Sequence, residues 1–110
     1  QAGLEMVFDQ LNAIEKYKHI VLGFVNDKKI DEVLKILPKN AQYYFVKPSI
    51  SRGRSPKEYE NSLISAKIDF QIFETVDAGF QAAKIKYKPE EMIFVGGSNF
   101  VVGEFLEKNL

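Results

Sequence analysis

Residues 19–25 read HIVLGFV, and residues 41–46 read AQYYFV. Two short, nearly continuous apolar runs of branched and aromatic residues are what strands covered on both faces look like. Between them Ile30, Val33, Leu34 and Leu37 recur at helical spacing, and Pro38 stops that helix. Strand, helix, strand is the unit of a parallel sheet, because parallel neighbours need a crossover.

The same alternation extends in both directions. Upstream, Leu4, Val7, Phe8, Leu11 and Ile14 share one helical face. Downstream, Ser55 is placed to cap a helix, with Pro56 at its first position and Glu58 three residues after the cap. Tyr59, Leu63 and Ala66 mark its buried stripe. Residues 70–74 (FQIFE) alternate as a strand, and Thr75 caps a helix whose Ala78, Ala82 and Ala83 suggest close packing on the sheet. A strand over 92–95, the turn Gly96-Gly97-Ser98 and a last helix carrying Val102, Phe105 and Leu106 complete the series. The pattern predicts one domain over residues 1–110: a three-layer, Rossmann-like α/β fold with a mostly parallel sheet and helices on both faces. Such domains normally open with a strand, and this sequence opens in a helix, so a missing first strand is expected.

Composition narrows the function. The 110 residues carry 15 basic and 15 acidic side chains, for a formal charge of zero, which argues against a nucleic-acid or membrane-surface binder. There is no cysteine, so disulfides, thiolate catalysis and cysteine zinc sites are excluded, and a cytoplasmic setting is expected. The one histidine, His19, removes a His-cluster metal site and weighs against Ser-His hydrolysis. It reads as a surface residue at a strand end. No apolar run reaches the ~20 residues of a membrane helix.

In open parallel sheets, ligands gather beyond the carboxyl ends of the strands. Residues 26–28, 47–55, 74–77 and 96–98 fall there. Asn26 or Asp27 can cap a helix with Lys28 solvated; alternatively Lys28 pairs with a substrate carboxylate or phosphate. The stretch 47–57 holds Lys47, Arg52, Arg54 and Lys57 and no acid. It is either a solvated loop or an anion site in which Arg52 or Arg54 grips an oxyanion. Gly96-Gly97-Ser98 makes a tight turn with Ser98 as N-cap on either reading. It lacks the spacing of a dinucleotide motif or a P-loop. Glu74 and Asp77 are assigned no role.

Three of these segments carry a resemblance. Residues 21–33, VLGFVNDKKIDEV, resemble the G-G-x-x-D-K-x-x-D segment in the C-terminal domain of Mur-type amino-acid ligases, and more closely its form in folylpolyglutamate and dihydrofolate synthases. Residues 52–59, RGRSPKEY, are similar to their R-A-L-x-P-E-E-L segment, and residues 94–104, FVGGSNFVVGE, to their V-T-G-S-L-Y-L-V-G-E ending. The matches run in family order over essentially the whole chain. Gly53, Gly97, Asn99 and Phe100 depart from the pattern.

The resemblance implies a Mur ligase C-terminal fold cut after a D-G-A-H-N-P strand that would finish near Gln1. It implies an ATP-dependent ligase that joins L-glutamate to a pteroate or folate carboxylate through an acyl phosphate, in folate biosynthesis. ATP and Mg2+ would belong to an N-terminal P-loop domain of the same chain, with none held tightly here, so these 110 residues alone are expected to be inactive. Lys28 would salt-bridge the incoming glutamate with Asp27 orienting it, Ser98 and Phe100 would lie at the glutamate side chain, and Arg52 would reinforce the positive nucleotide edge. No catalytic and no metal-ligating residue is assigned. The alternative is a non-catalytic, receiver-like α/β module that binds a small anion or a partner.

Overall fold

A computed structural model describes residues 2–26 and 29–109. Among the described residues five α-helices and four strands alternate. They are α1 (Ala2–Asn12), β1 (Lys18–Gly23), α2 (Ile30–Leu34), β2 (Ala41–Val46), α3 (Glu60–Ser65), β3 (Phe70–Ile72), α4 (Val76–Lys86), β4 (Met92–Gly96) and α5 (Asn99–Asn109). The four strands pair in parallel, in the order β3-β2-β1-β4.

This order places the whole of β1 in the interior, and its six residues are all buried, as its continuous apolar sequence requires. Pleating then sorts the core by parity. Ile20, Leu22, Tyr43 and Phe45 face one layer, packed with Leu4 and Phe8 of α1, Val33 of α2 and Leu63 of α3. Val21, Tyr44 and Val46 face the other, with Val76 and Ala83 of α4 and Val101 of α5. The three-layer expectation holds. The chain works outward from β1 to β2 and β3, then α4 crosses the opposite face and delivers β4 to the other side of β1. The direction of winding therefore reverses between β1 and β4. A receiver-like fold instead has the strand order 2-1-3-4-5, and no four consecutive strands of it reproduce the order seen here.

Several local expectations need correction. Ile14 lies beyond α1 and is 38% exposed, because the helix ends at Asn12. The helix α2 ends at Leu34, short of Leu37, so Pro38 does not terminate it. The Ser55 hydroxyl does cap, but it accepts from the Lys57 N–H, and the turn Pro56–Tyr59 is a 3-10 helix leading into α3. The Glu58 carboxylate turns to Arg54 and not back to the cap. On α4 the close approach belongs to Gly79 and Ala83, while Ala78 is exposed. A Cβ on Gly79 would stand 2.3 Å from Val46 Cγ1, so the small residue at that position lets the helix reach the sheet.

Candidate functional site

At the carboxyl edge the strands end at Gly23, Val46, Ile72 and Gly96. The crevice at the reversal point opens between the segments that follow β1 and β4. Its floor is a contact between two backbones. Gly97 has φ +105°, and a Cβ there would lie 2.4 Å from Gly23 O, so only glycine lets the turn after β4 close against β1. Ser98 then starts α5. Its hydroxyl accepts from the Val101 N–H at 3.3 Å, and its carbonyl accepts from the N–H groups of Val101 and Val102. The N-cap expected of Ser98 is present.

The loop 47–55 folds back over the other wall. Asn26 N–H donates to Arg52 O and Arg54 N–H to Phe24 O, each at 3.0 Å, flanking an antiparallel bridge between Val25 and Gly53. This pairing carries Arg52 to the start of α5, where its guanidinium carbon sits 5.6 Å from the centre of the Phe100 ring. Phe100 is 44% exposed. Arg52, Asn26, Ser98 and Phe100 thus come to one edge of the sheet, from three different connections. Asp27 and Lys28 lie outside the described residues.

The two arginines of the loop divide their work. Arg54 is drawn into the protein: its Nε donates to Glu58 Oε1 at 3.3 Å and its guanidinium lies 5.4 Å from the Tyr59 ring centre. Burial pushes the Tyr59 hydroxyl pKa up, and that oxygen has no hydrogen-bond partner among the described residues. Arg52 is exposed and has no carboxylate within ion-pair distance among the described residues.

The basic loop contains no acid, yet tertiary structure brings acids to it. Glu74, to which the sequence assigned nothing, accepts from the Ser55 hydroxyl at 2.8 Å. Glu104 of α5 accepts from the Ser49 N–H at 2.9 Å. The patch is therefore anchored at both flanks by carboxylates, with Arg52 left between them. Asp77 accepts from Gln81 on its own helix.

His19 lies at the opposite end of the sheet and is 2% exposed, so the surface assignment fails. Its Nε2 meets Glu91 Oε1 at 2.7 Å and its Nδ1 meets the Tyr44 hydroxyl at 2.8 Å. An ionised carboxylate only accepts, so Nε2 carries the proton, and a neutral ring accepts at Nδ1 from the Tyr44 O–H. The hydrogen bond from His19 holds the Glu91 carboxyl below its ordinary value, and burial pushes Tyr44 up to about 12. The partners are 25 and 72 residues from His19, beyond any local signal.

No family profile matches the chain. A probable bifunctional folylpolyglutamate synthase/dihydropteroate synthase of Haloferax volcanii is 32% identical over 89 residues, which are 78% of this chain and 10% of the relative. Escherichia coli FolC in complex with DHPP and ADP superposes with TM-score 0.79 at 20% identity, covering 97% of this chain and 26% of that one. The chain has the fold of the folylpolyglutamate/dihydrofolate synthase C-terminal domain. A bifunctional folylpolyglutamate synthase/dihydrofolate synthase with Mn, AMPPNP and L-glutamate bound aligns equally well, with TM-score 0.79 at 19% identity over 97% of this chain and 26% of that one. The chain therefore spans about a quarter of the length of these solved synthases and a tenth of the curated relative. Among the described residues of this synthase-like domain no group of three His, Asp or Glu side chains could hold a metal ion. No described helix is long and apolar enough to cross a membrane.

Proposed function

We propose that this chain is the substrate-binding C-terminal domain of an ATP-dependent ligase of the Mur type, which adds L-glutamate to a pteroate or folate carboxylate. The reading rests on one coincidence: fold and sequence kinship point independently to the same class of synthase. The carboxyl edge supports it. An open guanidinium, an exposed aromatic ring and a capped helix start stand together there, and glutamate and an acyl phosphate are both oxyanions.

In this reaction ATP, with Mg2+, supplies the phosphoryl group that activates the acceptor carboxylate, and the glutamate amine displaces phosphate from the acyl phosphate. Arg52 stands at the nucleotide edge; no residue of this chain is assigned to the metal, which, with most contacts to the nucleotide, belongs to a P-loop domain. This domain closes over the cleft and positions glutamate. Lys28 binds a glutamate carboxylate, Asp27 orients Lys28, Ser98 and Phe100 line the side chain, and Arg52 adds positive potential. The setting is cytoplasmic.

The test is the Lys28→Ala variant of the protein as encoded, with glutamate and ATP varied separately. Losing a charged partner in a closed cleft commonly costs 2–5 kcal/mol. We expect the glutamate KM to rise by roughly 30-fold or more, at about tenfold per 1.4 kcal/mol, with the ATP KM nearly unchanged. An unchanged glutamate KM removes Lys28 from the site. The 110 residues alone, with no P-loop in their sequence, should show no glutamate-dependent ATP turnover.

A further inference from the structure

The basic loop meets α5 through two side-chain contacts. Glu104 Oε1 accepts from the Ser49 N–H at 2.9 Å, and one turn earlier on the same helix Phe100 lies against the guanidinium of Arg52. Both contacts join one loop to one helix face, with an exposed groove between them lined by Ile50, Phe100, Gly103 and Leu106. At its far end the loop is fixed by backbone bonds to residues 24–26 and by the Ser55–Glu74 bond. Without the Ser49 anchor, no side-chain hydrogen bond among the described residues joins the stretch 49–52 to α5, and the Arg52–Phe100 contact remains.

We propose that Glu104 is a positioning residue: by accepting the Ser49 N–H it holds the loop on α5 and sets the Arg52 guanidinium over Phe100, where it meets an oxyanion of the substrate. This deepens the proposed function and rests on it. The chemistry is specific. Ser49 offers a backbone N–H, which needs an acceptor and no charge, so Gln serves at position 104 and Ala does not. The carboxylate stands outside ion-pair distance of Arg52, so it fixes the loop without neutralising the charge the loop presents. A flexible arginine must lose its freedom when it binds, whereas one already laid against a ring has lost much of it.

The experiment has two arms. In the protein as encoded, Glu104→Ala should raise the KM for the substrate that Arg52 meets by about tenfold with kcat held, the size of a 1.4 kcal/mol coupling. Glu104→Gln should recover most of that loss. The double variant with Arg52→Ala should be no worse than Arg52→Ala alone. A rise in the glutamate KM identifies a carboxylate, and a rise in the ATP KM a phosphate. Additive effects, or no change in either KM, overturn the proposal. In the second arm, NMR of the same variants reads the Ser49 amide exchange and the upfield ring-current shift that Phe100 imposes on Arg52. Glu104→Ala should speed the exchange and reduce the shift, while Glu104→Gln preserves both. An unmoved Arg52 signal overturns the proposal whatever the kinetics. A wild-type protein without glutamate-dependent ATP turnover overturns the ligase reading instead, and the NMR arm then decides whether Glu104 positions Arg52.

Discussion

The two ends of this sheet treat charge in opposite ways. At the amino end Lys18 is 2% exposed, yet its ammonium donates to Ile14 O at 2.8 Å and Lys16 O at 3.0 Å. Beside it, Tyr44, His19 and Glu91 form a closed chain of donors and acceptors, and Tyr43 donates to Pro38 O. Every polar group just named is matched from within the molecule. At the carboxyl end Arg52 faces outward with no carboxylate within reach among the described residues, beside an exposed ring. The difference separates stability from binding. A buried charge without a partner costs far more than a fold can spare, so the amino end is saturated. An arginine on an exposed loop costs little to leave open, and the proposed function places the ligand there.

The comparison can be broken severely at Gly97, a position of the carboxyl end where both φ and the neighbouring backbone require glycine. In Gly97→Ala, strain at φ +105° combines with a clash against the main chain of Gly23, which cannot rotate away. We expect a loss of about 3 kcal/mol or more, since each effect alone costs about 1–3 kcal/mol. Urea denaturation measures it. A change under 1 kcal/mol would mean that the β1–β4 crevice is open enough to relax.

Two buried tyrosines sharpen the comparison. Tyr44→Phe leaves the His19 Nδ1 acceptor without a donor and should cost about 1–2 kcal/mol. Tyr59→Phe removes a buried hydroxyl that has no partner among the described residues, and should be neutral or stabilising by up to about 1 kcal/mol. Equal losses in the two variants would show that Tyr59 is satisfied as fully as Tyr44, and the contrast between the ends would narrow.

The smallest effect is one of pH. The Glu91 carboxyl is held below its ordinary 4.5 in the folded chain, first by the hydrogen bond from His19. A depressed carboxyl stabilises the fold above the unfolded value, and that contribution is lost as pH falls through the folded one. The denaturation midpoint of the wild type should therefore fall more steeply below about pH 4.5 than that of Glu91→Gln. Parallel profiles would detach Glu91 from the stability of the amino end.

Much of the fold was legible because its signals are local. The aromatic run at 41–46 forms β2 with those very bounds, and Thr75 caps α4, its hydroxyl accepting from Ala78 N–H at 3.0 Å. Both depend on residues within a turn or a strand of one another. The placing of Ser98 at the sheet's carboxyl edge was legible for the same reason, since it follows β4 within two residues, whereas Arg52 is carried there by the pairing of residues 52–54 with 24–26. Helix lengths were less so: α2 is only five residues long, although Leu37 continues its apolar spacing. Packing on the sheet, rather than periodicity, decides where a short helix stops.

By itself, then, the sequence determined the alternation of elements, the burial of β1 and the segments that meet at the ligand edge, because hydrophobic period and capping act over a few residues. Tertiary structure alone decided which charges are spent. It delivered Glu91 to His19 across 72 residues and Glu104 to Ser49 across 55, and it left Arg52 exposed, whereas Arg54 and Glu58 pair only four residues apart. The linear pattern shows four cations and no acid between residues 47 and 57. Electrostatic pairing depends on distance through space, and only the folded chain sets that distance.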